Sequence, residues 1–90
     1  MVERILVSWA VVWTATAERD FGKLDPETRR RVQFSISRYA EESVGDVRRL
    51  QNITPPEYRL RIGKWRVRFR LDHDRRIMQI LHVLRRDDAY

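Results

Sequence analysis

The chain has no cysteine, which excludes disulfides and thiolate metal sites and fits a reducing compartment. Its two histidines, His73 and His82, are too few for a metal centre, and no cofactor is expected. Glycine and proline are scarce, at three each, and no repeat or low-complexity stretch divides the sequence. Lysine is almost missing, with two in a total of 19 basic residues. No apolar run is long enough to span a membrane. The longest candidate, Ile5 to Trp13, lies between Arg4 and Ala15-Thr16-Ala17, so it imitates a short secretory signal with its cleavage site. Glu3 beside a single arginine makes a poor n-region, and the Val/Trp-rich run reads as a buried strand in a soluble, cytoplasmic protein.

What remains is arginine and a modest core. Ninety residues make one domain, 1–90, and an apolar content of 42% with three each of Trp, Tyr and Phe suffices for its core. The net charge of +6 comes from 17 arginines and two lysines against 13 acidic residues. Arginine is permanently charged and carries a rigid donor fork that suits phosphate. A high-GC genome would account for part of this excess. Composition therefore points to an acidic partner: nucleic acid, an acidic protein or a membrane surface.

Local signals give an α+β order. A first strand ends at Val11-Val12-Trp13-Thr14. Thr14 or Thr16 caps a short helix to Leu24, with Gly22 near its end. Asp25-Pro26-Glu27 starts a second helix to about Glu42, with Asp25 as N-cap, Pro26 at the first helical position and Val32, Ile36, Tyr39 and Ala40 as the buried stripe. The two helices are expected as an antiparallel hairpin. Residues 43–57 read as irregular. A three-stranded antiparallel sheet then packs on the helices. Its first two strands are Tyr58 to Ile62 and Trp65 to Leu71, and Gly63-Lys64 suits a type II′ turn between them. A turn at Asp72 to Arg75 leads to Ile77 to Leu84, apolar on both faces and read as a central strand. Arg85 to Tyr90 is a charged tail.

A two-residue turn fixes the register. Ile62 then faces Trp65, Arg61 faces Arg66, Leu60 faces Val67, Arg59 faces Arg68 and Tyr58 faces Phe69. One face is apolar. The other holds five arginines, Arg59, Arg61, Arg66, Arg68 and Arg70, with no acidic residue between Arg59 and Arg70. Solvated faces usually mix signs, and directly opposed like charges destabilise a sheet. A one-signed face of this kind suits phosphates, most of all those of RNA. RNA cleavage by the neighbouring 2′-hydroxyl also needs proton transfer, for which Tyr90, His82, His73 and scattered carboxylates are the candidates. Clustered arginines would make a Tyr90 phenolate more accessible. His82 sits inside the apolar run and reads as a core or strand-end histidine, His73 as a turn residue.

The run Trp13-Thr14-Ala15-Thr16-Ala17-Glu18-Arg19-Asp20-Phe21 with Lys23-Leu24-Asp25, the segment Tyr58-Arg59-Leu60-Arg61-Ile62-Gly63-Lys64-Trp65-Arg66-Val67 and the ending Arg86-Asp87-Asp88-Ala89-Tyr90 occur in a telling order. Through them the chain resembles the RelE/ParE superfamily of toxin–antitoxin toxins, particularly its RelE-like mRNA interferases. The resemblance covers nearly the whole chain; residues 1–7 extend beyond the family's usual start. It implies a RelE-like fold and a toxin that cleaves mRNA on the ribosome without metal, held in check by a cognate acidic antitoxin. It also implies roles. Arg59 and Arg61 take the place of the family's basic pair, and Arg66 that of the hairpin arginine at the scissile phosphate. Arg86 matches the late charge-stabilising residue, with Arg85 as its rival, and Tyr90 the terminal acid or base. Arg68, Arg70 and Arg85 join Arg59 and Arg61 as RNA-binding candidates. Arginine stands where some relatives have lysine, and it is the poorer proton donor. Two other readings stay open: a ParE-like toxin that inhibits DNA gyrase without catalysis, and a nucleic-acid-binding module without activity.

Overall fold

The computed structural model describes residues 8–86. The extension at 1–7, the start of the first apolar run and Tyr90 lie outside those residues. The elements are β1 (Ala10–Trp13), α1 (Ala15–Gly22), α2 (Pro26–Glu42), β2 (Asp46–Arg49), β3 (Tyr58–Ile62), β4 (Trp65–Asp72) and β5 (Ile77–Arg85).

Both helices start at the side chains expected to cap them. Thr14 Oγ1 accepts the Ala17 N–H at 3.1 Å. Asp25 accepts the Thr28 hydroxyl and, at 3.2 Å, the Thr28 N–H, with Pro26 in the first turn. These bonds, the hydroxyl's first, hold the Asp25 carboxyl below its usual range. A carboxyl lowered in the folded state stabilises it above the ordinary value, and the benefit fades as pH falls through the lowered one. α2 ends where Ser43 turns left-handed at φ +57° and returns its N–H to the Tyr39 carbonyl.

The sheet has five strands, not three, in the order β1-β5-β4-β3-β2. The first added strand is β1, which pairs in parallel with β5 from Ala10↔Ile77 to Trp13↔Ile80. The intervening helices provide the crossover that parallel pairing requires. The second is β2, inside the stretch expected to be irregular; it pairs antiparallel with β3. Four residues, three of them exposed, give no alternation by which to recognise it. The middle position therefore belongs to β4, while β5 lies one in from the edge. Beyond Trp13 the free flank of β5 is closed by α1 instead of a strand. Thr14 donates its N–H to the Ile80 carbonyl at 3.0 Å and its hydroxyl to the Leu81 carbonyl at 3.2 Å, and Asp20 Oδ2 accepts the Val83 N–H at 3.0 Å.

The β3–β4 register is the one expected, from Tyr58↔Phe69 to Ile62↔Trp65. Gly63 takes φ +57° at the first turn position, where L side chains are strained. Between β4 and β5 the ladder slips: Arg68 pairs with His82 but Phe69 with Ile80, leaving Leu81 as the extra residue of a bulge. Inward parity on β5 thus passes from Met78 and Ile80 to Val83.

The core lies between the helices and one sheet face. Val32, Ile36 and Ala40 of α2 and Ala17 of α1 meet Leu60, Val67, Phe69, Met78, Ile80 and Val83, all buried. Tyr39 is only half-buried and packs on Phe69, and burial pushes its phenol pKa up. Among the described residues no helix is long and apolar enough to cross a membrane. Phe69 is wholly buried and stacks on Tyr58 with ring centres 5.6 Å apart. Phe69→Ala should cost about 3–5 kcal/mol, read as a lower urea midpoint at unchanged slope. A loss under about 1 kcal/mol would mean that the core is packed elsewhere.

Candidate nucleic-acid interface

The sheet face turned away from the helices carries the arginines in two rows. Strand pairing sets one row as Arg48–Arg59–Arg68–His82 and the next as Asp46–Arg61–Arg66–Leu84. Arg70 follows, opposite Gln79. Cross-strand neighbours on one face have Cβ atoms about 4.5–5.5 Å apart, so the guanidinium groups crowd one another.

They are not equally available. Arg61 is exposed, and Arg59, Arg68 and Arg70 are half-buried. Arg66 is only 5% exposed, and its Nη1 donates to the Gly63 carbonyl at 2.8 Å and the Trp65 carbonyl at 2.9 Å. That guanidinium ties down the hairpin turn. The Nε atoms of Arg66, Arg68 and Arg70 are buried without a hydrogen-bond partner.

The face is not purely basic. Glu57, 7% exposed, accepts from Arg68 Nη2 at 3.0 Å and lies 3.8 Å from Arg70 Nη2. The ladder of β2 and β3 continues to this residue, whose carbonyl accepts the Leu50 N–H at 2.9 Å. Sequence reasoning passed over Glu57 as the end of a loop. Extending the alternation of Arg59 and Arg61 back by one step would have put it on their face. Arg48 was missed because β2 was.

The two late arginines separate. Arg85 pairs with Trp65, which packs against the core, so it falls on the other side of the ladder from Arg66. The structure therefore does not bring Arg85 together with the other RNA-binding candidates. Alternation reverses the side at each residue, and that of Arg85 was not readable before its partner was known. Arg86 is exposed and held beside the hairpin tip by its N–H to the Lys64 carbonyl at 2.7 Å. Tyr90, the remaining catalytic candidate, lies outside the described residues. His73 is at the opposite end of the sheet, edge-on to Trp9, whose ring carries the Arg76 guanidinium at 3.7 Å.

His82 is the second departure. The parity of Met78 and Ile80 would carry it into the core, but the bulge turns it to the arginine face, beside Arg68. Its Nδ1 lies 3.7 Å from Asp20 Oδ2. Among the described residues no three His, Asp or Glu side chains converge as a metal site would require.

A family model described as the ParE toxin of the type II toxin–antitoxin system, parDE, matches residues 11–90. Among solved structures, the chain is similar to one in the RelBE2 toxin–antitoxin complex of Mycobacterium tuberculosis. There the TM-score is 0.78 and the identity 27%, over 93% of this chain and 98% of that one. The RelE–RelB complex of Pyrococcus horikoshii gives a TM-score of 0.75 at 22% identity, over 91% and 99% of the two chains. The RelB–RelE complex of Methanococcus jannaschii gives 0.71 at 18%, over 88% and 94%. At those two identities the likeness is one of fold. No curated protein sequence matches significantly.

Availability sets different outcomes for two neighbouring arginines. Arg61→Ala should leave stability nearly unchanged and lower the salt slope of RNA binding by about one charge. Arg66→Ala removes a buried tie and should also cost about 1–3 kcal/mol of stability, read as a lower urea midpoint. Equal salt slopes for wild type and Arg61→Ala would mark the face as ordinary solvated surface.

Proposed function

The chain belongs to the ParE toxin family of type II toxin–antitoxin systems, and from that premise we propose that it is a ribosome-dependent mRNA endonuclease of the RelE kind, acting in the cytoplasm. The arginine face carries this reading: basic residues from β2, β3 and β4 share one surface, which is free of the helices. Such a surface holds an RNA backbone by its phosphates.

Each candidate then has a part. Arg61 reaches the phosphate directly, while Arg59, Arg68 and Arg70 supply a positive field from a partly desolvated floor, where charge acts more strongly than in water. Arg66 adds charge from beside the hairpin turn it secures. Arg86 stands at the hairpin tip and serves as the late arginine that offsets charge on the phosphorane. Tyr90, four residues on, transfers a proton. The reaction involves no metal ion. The partner that silences the toxin is an antitoxin with an acidic, amphipathic segment laid over the helices or the basic face. Phe34, 66% exposed on α2, is an apolar anchor for such a segment.

The matched family carries the ParE name, and a ParE-like toxin that inhibits DNA gyrase by contact without catalysis is the second reading.

Expression without an antitoxin should arrest growth, and primer extension should map new 5′ ends within translated mRNA. Tyr90→Phe keeps the ring but removes its proton, so cleavage should slow by about 10²–10⁴-fold with folding intact; Arg86→Ala should also slow it. If wild-type cells show no cuts while the purified protein blocks gyrase supercoiling, the gyrase reading replaces the nuclease one.

A further inference from the structure

We propose that His82, oriented by Asp20, is the general base that takes the proton from the attacking 2′-hydroxyl. This rests on the ribonuclease reading and adds to it a residue to which neither the family motifs nor the arginine pattern points.

Three observations converge. The first is position. His82 is the cross-strand partner of Arg68 and ends the row Arg48–Arg59–Arg68–His82. A phosphate held on that row would have the imidazole beside it, with cross-strand Cβ atoms about 5 Å apart.

The second is how the position is made. Leu81 is an extra residue, and the bulge it creates aims His82 out of the core. Bulges recur where a strand must redirect a side chain. This one is fastened on both sides of the histidine: Thr14 Oγ1 donates to the Leu81 carbonyl at 3.2 Å, and Asp20 Oδ2 accepts the Val83 N–H at 3.0 Å.

The third is the pairing of the ring. Asp20 Oδ2 lies 3.7 Å from Nδ1, and the His82 side chain is 41% exposed against 19% for Asp20. At that separation the two make an ion-pair contact and not a hydrogen bond; a carboxylate on the Nδ1 side favours a proton there by its charge, which leaves Nε2 as the acceptor. The Val83 N–H fixes the carboxylate in turn. A histidine present only to fill space on the sheet would need neither the bulge nor the carboxylate.

The step balances as follows. Nε2 accepts the 2′-hydroxyl proton while O2′ bonds to phosphorus. The bond from phosphorus to the 5′-oxygen breaks, and that oxygen takes a proton from the Tyr90 phenol. The products are a 2′,3′-cyclic phosphate and a 5′-hydroxyl. Proton exchange with water then returns both side chains to their starting states.

The test is single-turnover cleavage of mRNA on purified ribosomes, with thermal midpoint and ribosome binding measured alongside. His82→Gln should bind ribosomes and melt as wild type does while cleaving about 10²–10⁴-fold more slowly. Asp20→Asn keeps an acceptor for the Val83 N–H and should give a smaller loss. In His82→Ala, added imidazole should restore part of the rate, which a purely structural defect would not allow. Full-rate cleavage by His82→Gln overturns the proposal and leaves the ribonuclease reading standing. A slow His82→Gln with no imidazole rescue of His82→Ala also overturns it, by assigning the residue a structural part. Wild-type protein that never cuts mRNA overturns both readings together.

Discussion

The buried contact between Glu57 and the arginines of β4 is the interaction on which the rest of this surface depends. Like charges directly opposite one another destabilise a sheet, and β3 and β4 set Arg59 against Arg68 and Arg61 against Arg66. A sheet face of this kind costs stability unless something offsets the repulsion. Glu57 places one carboxylate 3.0 Å from Arg68 and 3.8 Å from Arg70, and Arg66 turns away to the carbonyls of its own turn. Arg61 is left exposed at the rim. The face thus keeps most of its positive field while its inner members are held in place. That combination is what a phosphate-binding surface needs: charge fixed before the ligand arrives.

The closure of β5 is the second constraint, and it links the helices to the same face. β1 covers only the first half of β5, and an uncovered second half would leave a strand edge open to pairing with other chains. α1 closes it with two side chains, Thr14 and Asp20, the first of which also caps the helix. The position of His82 follows from this closure, because the bulge and its fastenings fall on either side of it. A change in α1 would therefore be felt on the opposite side of the sheet.

Much of this was legible in the residues, and what was not has physical causes. The helix start at Asp25 and the hairpin register at Gly63 follow from short-range chemistry and appear where local reasoning puts them, and the first helix takes Thr14 of the two caps on offer, Thr14 and Thr16. β2 left no trace because an exposed four-residue edge strand needs no apolar alternation. The parallel partner of β5 was hidden because pairing across a helical crossover leaves no local mark. The bulge at Leu81 made β5 look apolar on both faces and made His82 look like a core residue, since an inserted residue reverses parity without changing composition. Glu57 was within reach, two positions before Arg59 on the same parity, but it was read as loop. At the site, the opposed pairs Arg59–Arg68 and Arg61–Arg66 were visible in advance, while Arg48 and His82 join their row only in the fold. Which arginines are free, and which carboxylate holds them, required the fold.

The central claim is that RNA lies on this face of the sheet. Ultraviolet crosslinking of the protein to ribosome-bound mRNA carrying 4-thiouridine, with the adducts located by mass spectrometry of the peptides, tests it directly. Adducts are predicted on β2, β3, β4 and the end of β5, and to be absent from α1 and α2. Adducts concentrated on the helices, or none above the level of a non-specific basic protein, would contradict it.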